Sequence, residues 1–394
     1  MKKGWQSKTL GEVCEVMNGG TPKTGVPEYW DGKHLWITPA EMGKRSSPYS
    51  DDTERKITDR GLQNSSARML PPHSVILSSR APIGHLVINT EPMATNQGCK
   101  GLIPRTQLQH KFLYYYLSSV VDLLNSLGTG ATFKELSGGK LKEVTIPVPP
   151  LAEQERIVGL LDEAFAGLAT AKANAEKNLH NARALFESHL QSVFTQRGAG
   201  WVEKPLGEAL VKTETTDPTR SPQTEFDYID VSSVSKETLA IEETQRLQGK
   251  DAPSRARKLV RTNDVLFATI RPTLRRIAIV PEELDSQVCS TGYFVLRAKP
   301  DVDHRLVFYF LQTETFMTAM ETLQKGASYP AVTDGDVRSQ PIPIPPLKEQ
   351  KKIASKLQSL REETQRLARL YERKHAALAA LKKSLLHQAF TGAL

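Results

Sequence analysis

The 394-residue chain lacks the features that define several protein classes. Its three cysteines, Cys14, Cys99 and Cys289, lie far apart and form no Cys-x-x-Cys or Cys/His pair with metal-ligand spacing. This pattern argues against a disulfide framework or a structural zinc site and favours a reducing compartment. No apolar run approaches the ~18 residues of a membrane span, and no apolar core follows the N-terminal lysines, as a signal peptide would require. We therefore expect a cytoplasmic protein.

Motifs for catalysis are also missing. The sequence contains no Gly-x-x-x-x-Gly-Lys-Ser/Thr loop, no Gly-x-Gly-x-x-Gly motif and no His-x-x-x-His pair. The Asn/Asp-Pro-Pro-Tyr/Phe signature of adenine methyltransferases does not occur either. Glu54-Arg55-Lys56 and Glu349-Gln350-Lys351 match half of a nuclease motif, but the second lies at a predicted helix start, where acidic residues stabilise the helix dipole. We predict neither catalytic nor metal-binding residues.

The charge is moderately basic, with a net value of +8 and a pI of about 9.2. Such a charge suits a nucleic-acid partner, although a slightly basic protein without one would show the same value. The charge is most concentrated between Lys250 and Arg276, where eight basic residues face two acidic ones. Guanidinium groups in such a cluster suit contacts with phosphate and guanine, and a solvated surface is the alternative.

The most informative feature present is an internal repeat with an offset of 196 residues. Residues 146–157, IPVPPLAEQERI, return at residues 342–353 as IPIPPLKEQKKI, and Gly4-Trp5 returns as Gly200-Trp201. The second proline of each Pro-Pro pair fits the first position of a helix, and the following glutamates fit its first turn. Each copy therefore predicts a helix start.

Two long helices are predicted behind these starts. Apolar residues recur every three or four positions, which indicates a coiled-coil seam, and runs of about 40 residues would form rods of about 60 Å. The predicted seam positions are Ile157, Leu161, Ala164, Leu168, Ala171, Ala175, Ala182 and Leu185, and then Ile353, Leu357, Leu360, Thr364, Leu367, Tyr371, Leu378 and Leu381.

The duplicated Pro-Pro-Leu-x-Glu-Gln-x-x-Ile motif at the start of a long helix resembles the specificity subunit of type I restriction-modification enzymes. The resemblance covers essentially the whole chain. It implies that each half contributes a variable domain that binds half of a split DNA target, while the helices set the spacing and bind two methyltransferase subunits. It also implies that motor-nuclease subunits join for cleavage, and that S-adenosylmethionine, ATP and magnesium belong to partners.

We predict an α+β fold class: two mixed α/β target recognition domains, separated by a pair of long antiparallel coiled-coil helices, with internal two-fold pseudo-symmetry. The predicted segments are a first recognition domain at 1–150, a helical region at 151–197, a second recognition domain at 198–346 and a C-terminal helical region at 347–394. Matching strands are predicted at 35–38 and 228–231, at 75–78 and 265–268, and at 85–88 and 277–280. Residues 18–70 and 212–262 differ, as expected for loops that bind different targets.

Site residues are predicted from the basic stretch and from loops that resemble recurrent loop positions of the family. Asn and Gln suit adenine, and small hydroxyl residues beside glycine suit phosphate, although each loop could equally be a structural turn. The predicted DNA contacts are Lys44, Arg45, Arg80, Asn96, Gln97, Thr129, Thr132, Arg255, Arg257, Lys258, Arg271, Arg275, Arg276, Ser328 and Tyr329. The predicted partner-docking residues on the helices are Glu153, Gln154, Ile157, Glu349, Gln350 and Ile353.

These features allow three functions to be compared. The favoured one is a non-catalytic DNA-recognition subunit of a type I complex. The alternative is a duplicated protein-interaction scaffold whose basic charge is incidental. A complete single-chain restriction and methylation enzyme is disfavoured because its catalytic motifs are missing.

A fragment of residues 1–197 is expected to self-associate, because removing the second repeat leaves the apolar seam of the first helix without its partner. Gel filtration of the isolated fragment measures this directly. A monomeric elution volume would contradict the predicted seam.

Overall fold

The structure is a computed structural model that describes residues 4–130 and 134–394. The chain divides into two compact units. Unit 1 consists of Met1–Ala175 and Arg373–Leu394, and unit 2 consists of Glu176–Glu372. Each unit therefore combines one mixed α/β domain with a segment of both long helices.

Unit 1 contains three sheets. Its strands are β1 (Gln6–Thr9), β2 (Cys14–Asn18), β3 (Trp30–Ile37), β4 (Tyr49–Ser50), β5 (Arg55–Ile57), β6 (Val75–Ser79), β7 (Ile83–Asn89), β8 (Met93–Thr95), β9 (Cys99–Pro104) and β10 (Thr145–Val148). The five-stranded sheet has the order β2-β9-β6-β7-β4, the three-stranded sheet has the order β5-β3-β8, and β1 pairs with β10. Strand β6 is buried along its whole length, which suits its run of Val, Ile and Leu.

The helices of unit 1 surround these sheets. They are α1 (Leu10–Val13), α2 (Pro39–Met42), α3 (Asp59–Gln63), α4 (His110–Ser119), α5 (Val121–Leu127), α6 (Gly138–Glu143) and the first part of α7 (Leu151–Thr195). Helix α4 buries Phe112, Tyr115 and Tyr116 in the core. These aromatic residues therefore belong to the core of unit 1.

Unit 2 repeats this plan. Its strands are β11 (Val202–Pro205), β12 (Leu210–Val211), β13 (Glu225–Ile229), β14 (Gln245–Gln248), β15 (Ala256–Leu259), β16 (Val265–Ala268), β17 (Ile277–Ile279), β18 (Val288–Ser290), β19 (Tyr293–Ala298) and β20 (Pro341–Ile344). Its helices are α8 (His304–Phe310), α9 (Glu314–Leu323), α10 (Asp334–Arg338) and the first part of α11 (Leu347–Thr391). The sheets have the orders β12-β19-β16-β17, β14-β13-β18-β15 and β11-β20.

The strand pairings confirm the repeat in atomic detail. Gln6 pairs with Val148 in unit 1, and Val202 pairs with Ile344 in unit 2, each shifted by 196 residues. Strands β3 and β8 run parallel, as do β13 and β18. The three predicted strand matches correspond to β3 and β13, β6 and β16, and β7 and β17. The units differ in two strands, because β4 extends the larger sheet of unit 1 and β15 extends the sheet that contains β13 in unit 2. Both strands fall in the divergent segments.

Within each unit the segments of the two long helices run antiparallel. In unit 1 the Arg156 guanidinium donates to the carbonyl of Leu394 at 2.9 Å, and the Lys382 ammonium lies 5.1 Å from the Phe165 ring centroid. In unit 2 the guanidinium of Arg183 lies 2.9 Å from the carboxylate of Glu372. The predicted antiparallel helix pair is confirmed.

The predicted seam is correct for most of its length but wrong at Leu185 and Leu381. These equivalent side chains are 53% and 47% exposed. Toward the end of each helix the buried face turns toward the aromatic residues of the adjoining domain. Phe194 contacts Phe310 in unit 2, and Phe390 contacts Phe112 in unit 1. A strict 3.5-residue repeat drifts around a straight helix by about 20° per heptad, so seam positions do not stay on the buried face.

A buried glutamine joins each long helix to its domain. The Gln154 amide accepts from the backbone N–H of Gln109 at 2.9 Å and donates to the carbonyls of Gln107 at 2.9 Å and Pro149 at 2.8 Å. The Gln350 amide makes the same three contacts with the N–H of Asp303 at 2.8 Å and the carbonyls of Asp301 at 3.0 Å and Pro345 at 2.8 Å. Gln109 and Asp303 are the N-cap residues of α4 and α8. Each amide therefore connects the starts of two helices.

Gln154→Ala is expected to lower the free energy of unfolding by roughly 2–4 kcal/mol, because it leaves three buried or partly buried backbone groups without partners. Urea unfolding followed by circular dichroism measures the change, and Gln350→Ala should behave alike. Gln358→Ala, which truncates an exposed glutamine on α11, is the control and should change stability by less than about 0.5 kcal/mol. Equal effects of Gln154→Ala and Gln358→Ala would contradict the structural role of the buried amide.

Candidate nucleic-acid interface

Three loops of unit 1 meet at one edge of its five-stranded sheet. The N–H of Ser79, the last residue of β6, donates to the carbonyl of Gly98 at 2.7 Å. The carbonyl of Ser79 accepts from Leu136 at 2.8 Å, and Glu135 forms backbone bridges with Arg80 and Thr129. The predicted contacts Arg80, Asn96, Gln97 and Thr129 therefore lie together at this edge. Thr132, which was predicted with them, lies outside the described residues.

The side chains at this edge partly compensate one another. The Glu135 carboxylate lies 3.7 Å from Arg80 and 4.0 Å from the buried Lys100 ammonium. The Asn96 side-chain oxygen accepts from the N–H of Gly98 at 2.8 Å, and the amide oxygen of Gln97 accepts from the hydroxyl of Thr21. Both amide oxygens therefore have internal partners, and the Gln97 side chain is the more exposed of the two.

Two glycines hold the Asn96 loop in place. A Cβ on Gly19 would lie 1.8 Å from the carbonyl oxygen of Asn96, and one on Gly20 would lie 2.2 Å from the nitrogen of Ala67. Their own N–H groups donate to the carbonyls of Cys99 and Thr95. Because only glycine fits such close backbone contacts, this segment packs against the Asn96 loop.

Lys44 and Arg45 follow α2 and are surrounded by acidic residues. Lys44 lies 3.0 Å from the Glu54 carboxylate, and Arg45 lies 2.7 Å from the buried Glu41 carboxylate. Arg45 also donates to the carbonyl of Asp52. This part of unit 1 therefore offers little uncompensated positive charge to a phosphate.

Unit 2 places its predicted contacts at the corresponding edge. The N–H of Thr269 donates to the carbonyl of Gly292 at 2.9 Å, and the N–H of Val332 donates to the carbonyl of Thr269 at 3.0 Å. These bonds match those of Ser79 with Gly98 and Leu136. The N–H of Arg271 donates to the carbonyl of Pro330 at 2.7 Å. Arg271, Ser328 and Tyr329 are thereby brought together.

The backbone match shows which residues are equivalent. Because Ser79 corresponds to Thr269, Arg80 corresponds to Ile270, and Ala81 corresponds to Arg271. Ala81 and Arg271 share a left-handed conformation, with φ values of 51° and 50°. Arg80, which is followed by Ala81-Pro82, and Arg271, which is followed by Pro272, therefore occupy neighbouring rather than equivalent positions.

Most of the basic stretch of unit 2 is already paired. The Arg257 guanidinium lies 3.5 Å from Asp217, and the Arg275 guanidinium lies 2.7 Å from Glu314. Arg276 donates to the carbonyls of Ser232 and Val234. Among the described residues, Arg255 and Arg271 are exposed and have no carboxylate within 4.0 Å.

Lys258 has an internal role. Its ammonium donates to the carbonyl of Tyr293 at 2.6 Å and lies 3.0 Å from the Asp334 carboxylate, and its side chain is mostly buried. Asp264 is buried against Arg297, whose pKa is raised by the hydrogen bond with Asp264. Lys258 and Asp264 therefore both have partners within unit 2.

The residues predicted to dock a partner divide into buried and accessible ones. Gln154, Ile157 and Gln350 are buried, and Ile353 packs against the core of unit 2, so these side chains stabilise their own unit and present little to a partner. At the surface, Glu153 lies 2.7 Å from the Arg156 guanidinium, and Glu349 accepts from the Trp201 indole at 3.1 Å. The residues of the repeated Pro-Pro-Leu-x-Glu-Gln-x-x-Ile motif therefore make these contacts within the chain itself.

Sequence reasoning missed Glu135, the acidic partner of Arg80, and Lys100, which lies beside the same carboxylate. No sequence signal marks them, because they are distant in the chain and meet only through strand pairing.

The three cysteines are free and buried among residues 4–130 and 134–394, the residues that the structure describes. Burial raises the pKa of the Cys14, Cys99 and Cys289 thiols to about 12, so they stay protonated near neutral pH. Within the same ranges, no three His, Cys, Asp or Glu side chains are placed to hold a metal ion. No helix in this part of the chain has the length and apolar character needed to cross a bilayer.

Comparison with known proteins gives a consistent family. The model of the type I restriction modification DNA specificity domain matches residues 2–178 and again residues 200–372. The MjaIX specificity subunit of a type I restriction enzyme from Methanocaldococcus jannaschii is 27% identical over 383 residues, which cover 91% of this chain and 87% of that protein. The EcoR124I/EcoR124II specificity subunit from Escherichia coli is 33% identical over 163 residues, or 40% of each chain.

Solved structures show the same fold. A chain from a structural study of complex assembly and conformational transition in the type I R-M system superimposes with a TM-score of 0.76 at 19% identity, covering 99% of this chain and 98% of that one. The HsdS subunit from Thermoanaerobacter tengcongensis superimposes with a TM-score of 0.66 at 20% identity, covering 100% and 98%.

Arg271→Ala is expected to weaken DNA binding more than Arg275→Ala, because the Arg275 charge is already compensated by Glu314. Loss of one phosphate contact should reduce the slope of log affinity against log salt by about 1. Fluorescence anisotropy at several salt concentrations measures both quantities. Unchanged binding for Arg271→Ala at every salt concentration would remove this residue from the interface.

Proposed function

The chain belongs to the family of type I restriction modification DNA specificity domains and is a specificity subunit with two target recognition domains, and we propose that each domain binds one half of a bipartite DNA target. One observation carries the proposal. The strands common to the two units share order and pairing, while the loops at the corresponding sheet edge differ in sequence and charge. Duplicated frameworks with different loops suit two unlike half-sites.

Recognition at these edges would combine two kinds of contact. In unit 1 the exposed amide of Gln97 suits an adenine edge in the major groove. In unit 2 the uncompensated guanidinium groups of Arg255 and Arg271 suit phosphate or guanine. Both sets project from loops held by strand-end hydrogen bonds, so they are positioned before DNA binds.

The long helices would set the spacer between the half-sites and bind two methyltransferase subunits. Duplication supports this role, because two equivalent surfaces suit two copies of one partner. Leu185 and Leu381 stand at equivalent positions and are exposed, and exposed apolar groups on a regular helix suit a protein partner. The docking surface therefore consists of the exposed helix faces, since Gln154 and Gln350 are buried.

Chemistry would be left to the partners. Methyltransferase subunits would bring S-adenosylmethionine, and motor-nuclease subunits would bring ATP and magnesium. The specificity subunit would act in the cytoplasm, where cellular DNA is accessible to the assembled complex, and would itself perform no catalysis.

Methylation mapping of cellular DNA with and without this gene tests the function. One asymmetric motif with two short specific parts and a fixed spacer is expected to lose methylation when the gene is removed. Binding of the purified complex to that motif should weaken steeply with salt, because phosphate contacts release counterions. An unchanged methylation map, together with salt-independent binding only to proteins, would favour an interaction scaffold instead.

A further inference from the structure

Tyr329 is the most exposed large hydrophobic side chain in the described part of the chain, at 72%. It lies in the loop that joins α9 to α10, at the sheet edge where the other predicted contacts of unit 2 meet. A single exposed aromatic residue would not by itself indicate a ligand. The way this ring is held provides the further evidence.

Arg271 supports the Tyr329 ring from one side. Its guanidinium carbon lies 5.2 Å from the ring centroid, within cation–π range. The same guanidinium donates to the carbonyl of Ser328 at 3.5 Å, and the backbone N–H of Arg271 donates to the carbonyl of Pro330 at 2.7 Å. Arg271 therefore contacts the residue on either side of Tyr329 as well as its ring, which restricts the orientation of the ring.

The turn that carries Arg271 has an unusual backbone. Arg271 and Arg275 flank a short 3-10 helix, Pro272–Leu274, and both adopt left-handed conformations with φ values of 50° and 54°. Residues with a Cβ rarely adopt this conformation, but Ala81 shares it in unit 1, with a φ value of 51°, so the turn belongs to the common framework and only the side chain differs. In unit 1 the equivalent position holds Ala81, which has no guanidinium to offer.

Charge distinguishes this pair from its neighbours. Arg275 is compensated by Glu314 at 2.7 Å, whereas Arg271 has no carboxylate within 4.0 Å among the described residues. A planar cation and an aromatic face are thus exposed together without a compensating acid. This combination matches nucleic acid, in which bases offer faces for stacking and phosphates offer negative charge.

We propose that Tyr329, supported by Arg271, stacks on a DNA base that has become unstacked within the half-site bound by unit 2. The proposal rests on the proposed function and adds a mode of recognition. Side-chain insertion between base steps kinks DNA and makes binding sensitive to how easily a step deforms. Unit 2 would thus recognise its half-site partly through local deformability, and unit 1, with Ala81 at this position, would not use this residue pair.

The test uses the full-length chain and a duplex that contains the motif identified by methylation mapping. Tyr329→Ala is expected to weaken binding by about 5- to 100-fold, the range seen when one base–aromatic stack is removed, while Tyr329→Phe should bind like the wild type. Arg271→Lys, which keeps the charge but not the planar group, should give an intermediate loss. Val202→Ala, an exposed apolar truncation on β11 of unit 2, is the control and should leave affinity unchanged.

A second readout reports the mode of binding. 2-Aminopurine is placed at successive positions of the duplex except the methylated adenine, which a methyltransferase could itself unstack. The wild type and Tyr329→Phe should change the fluorescence about two-fold or more at one or two adjacent positions, and Tyr329→Ala should not. A Tyr329→Ala variant that loses affinity but keeps the wild-type fluorescence profile would overturn stacking.

The proposal and the function fail in different ways. If the wild type binds the mapped duplex and Tyr329→Ala binds equally well with the same fluorescence, the stacking proposal is wrong and the function stands. If Tyr329→Ala keeps DNA binding but loses a co-purifying subunit, the ring belongs to a protein interface and the proposal is again wrong. If the wild type shows no sequence-dependent binding at all, the proposed function itself is wrong.

Discussion

The buried amide at the start of each long helix is the contact on which the arrangement of each unit depends. A helix start leaves backbone N–H groups without partners, and a loop that runs beside it leaves carbonyls in the same state. One glutamine side chain offers both an acceptor and two donors, so Gln154 and Gln350 satisfy three such groups at once. The amide thereby fixes where α7 leaves the first domain and where α11 leaves the second.

Strand pairing places the start of each long helix beside its domain, where the glutamine amide makes its hydrogen bonds. In each unit the first strand pairs with the strand that carries the proline-containing segment, as shown by Gln6 with Val148 and Val202 with Ile344. The chain therefore closes each domain immediately before the long helix begins at Leu151 or Leu347. The aromatic residues of α4 and α8 then cover the ends of the helix segments, through Phe112 with Phe390 and Phe310 with Phe194. The repeated motif in the sequence therefore corresponds to the same connection between domain and long helix in both units.

Charge is distributed unequally between the two sheet edges. In unit 1 the acidic residues Glu41, Glu54 and Glu135 lie beside the predicted basic contacts. In unit 2 Arg271 stays uncompensated beside an exposed aromatic ring. Exposed ion pairs contribute little to stability, so a DNA phosphate could replace the carboxylate beside a basic side chain. Because the protein ion pair is lost in this exchange, the net gain in DNA affinity is smaller. The two domains are thus suited to contribute differently to one binding event.

The sequence by itself determined the repeat, the α+β class, the helix starts and most of the helix seam, because these depend on local residue types and on periodicity. Only the tertiary structure decided that the Gln154 side chain hydrogen-bonds to buried or partly buried backbone groups. The same holds for the exposure of Leu185 and Leu381 and for the ion pair of Lys258 with Asp334. The tertiary structure also decided that Arg80 meets Glu135, and that Ala81 rather than Arg80 is equivalent to Arg271. Each of these facts depends on residues that are distant in the chain and are brought together by strand pairing and helix packing. A local sequence pattern does not specify such long-range contacts.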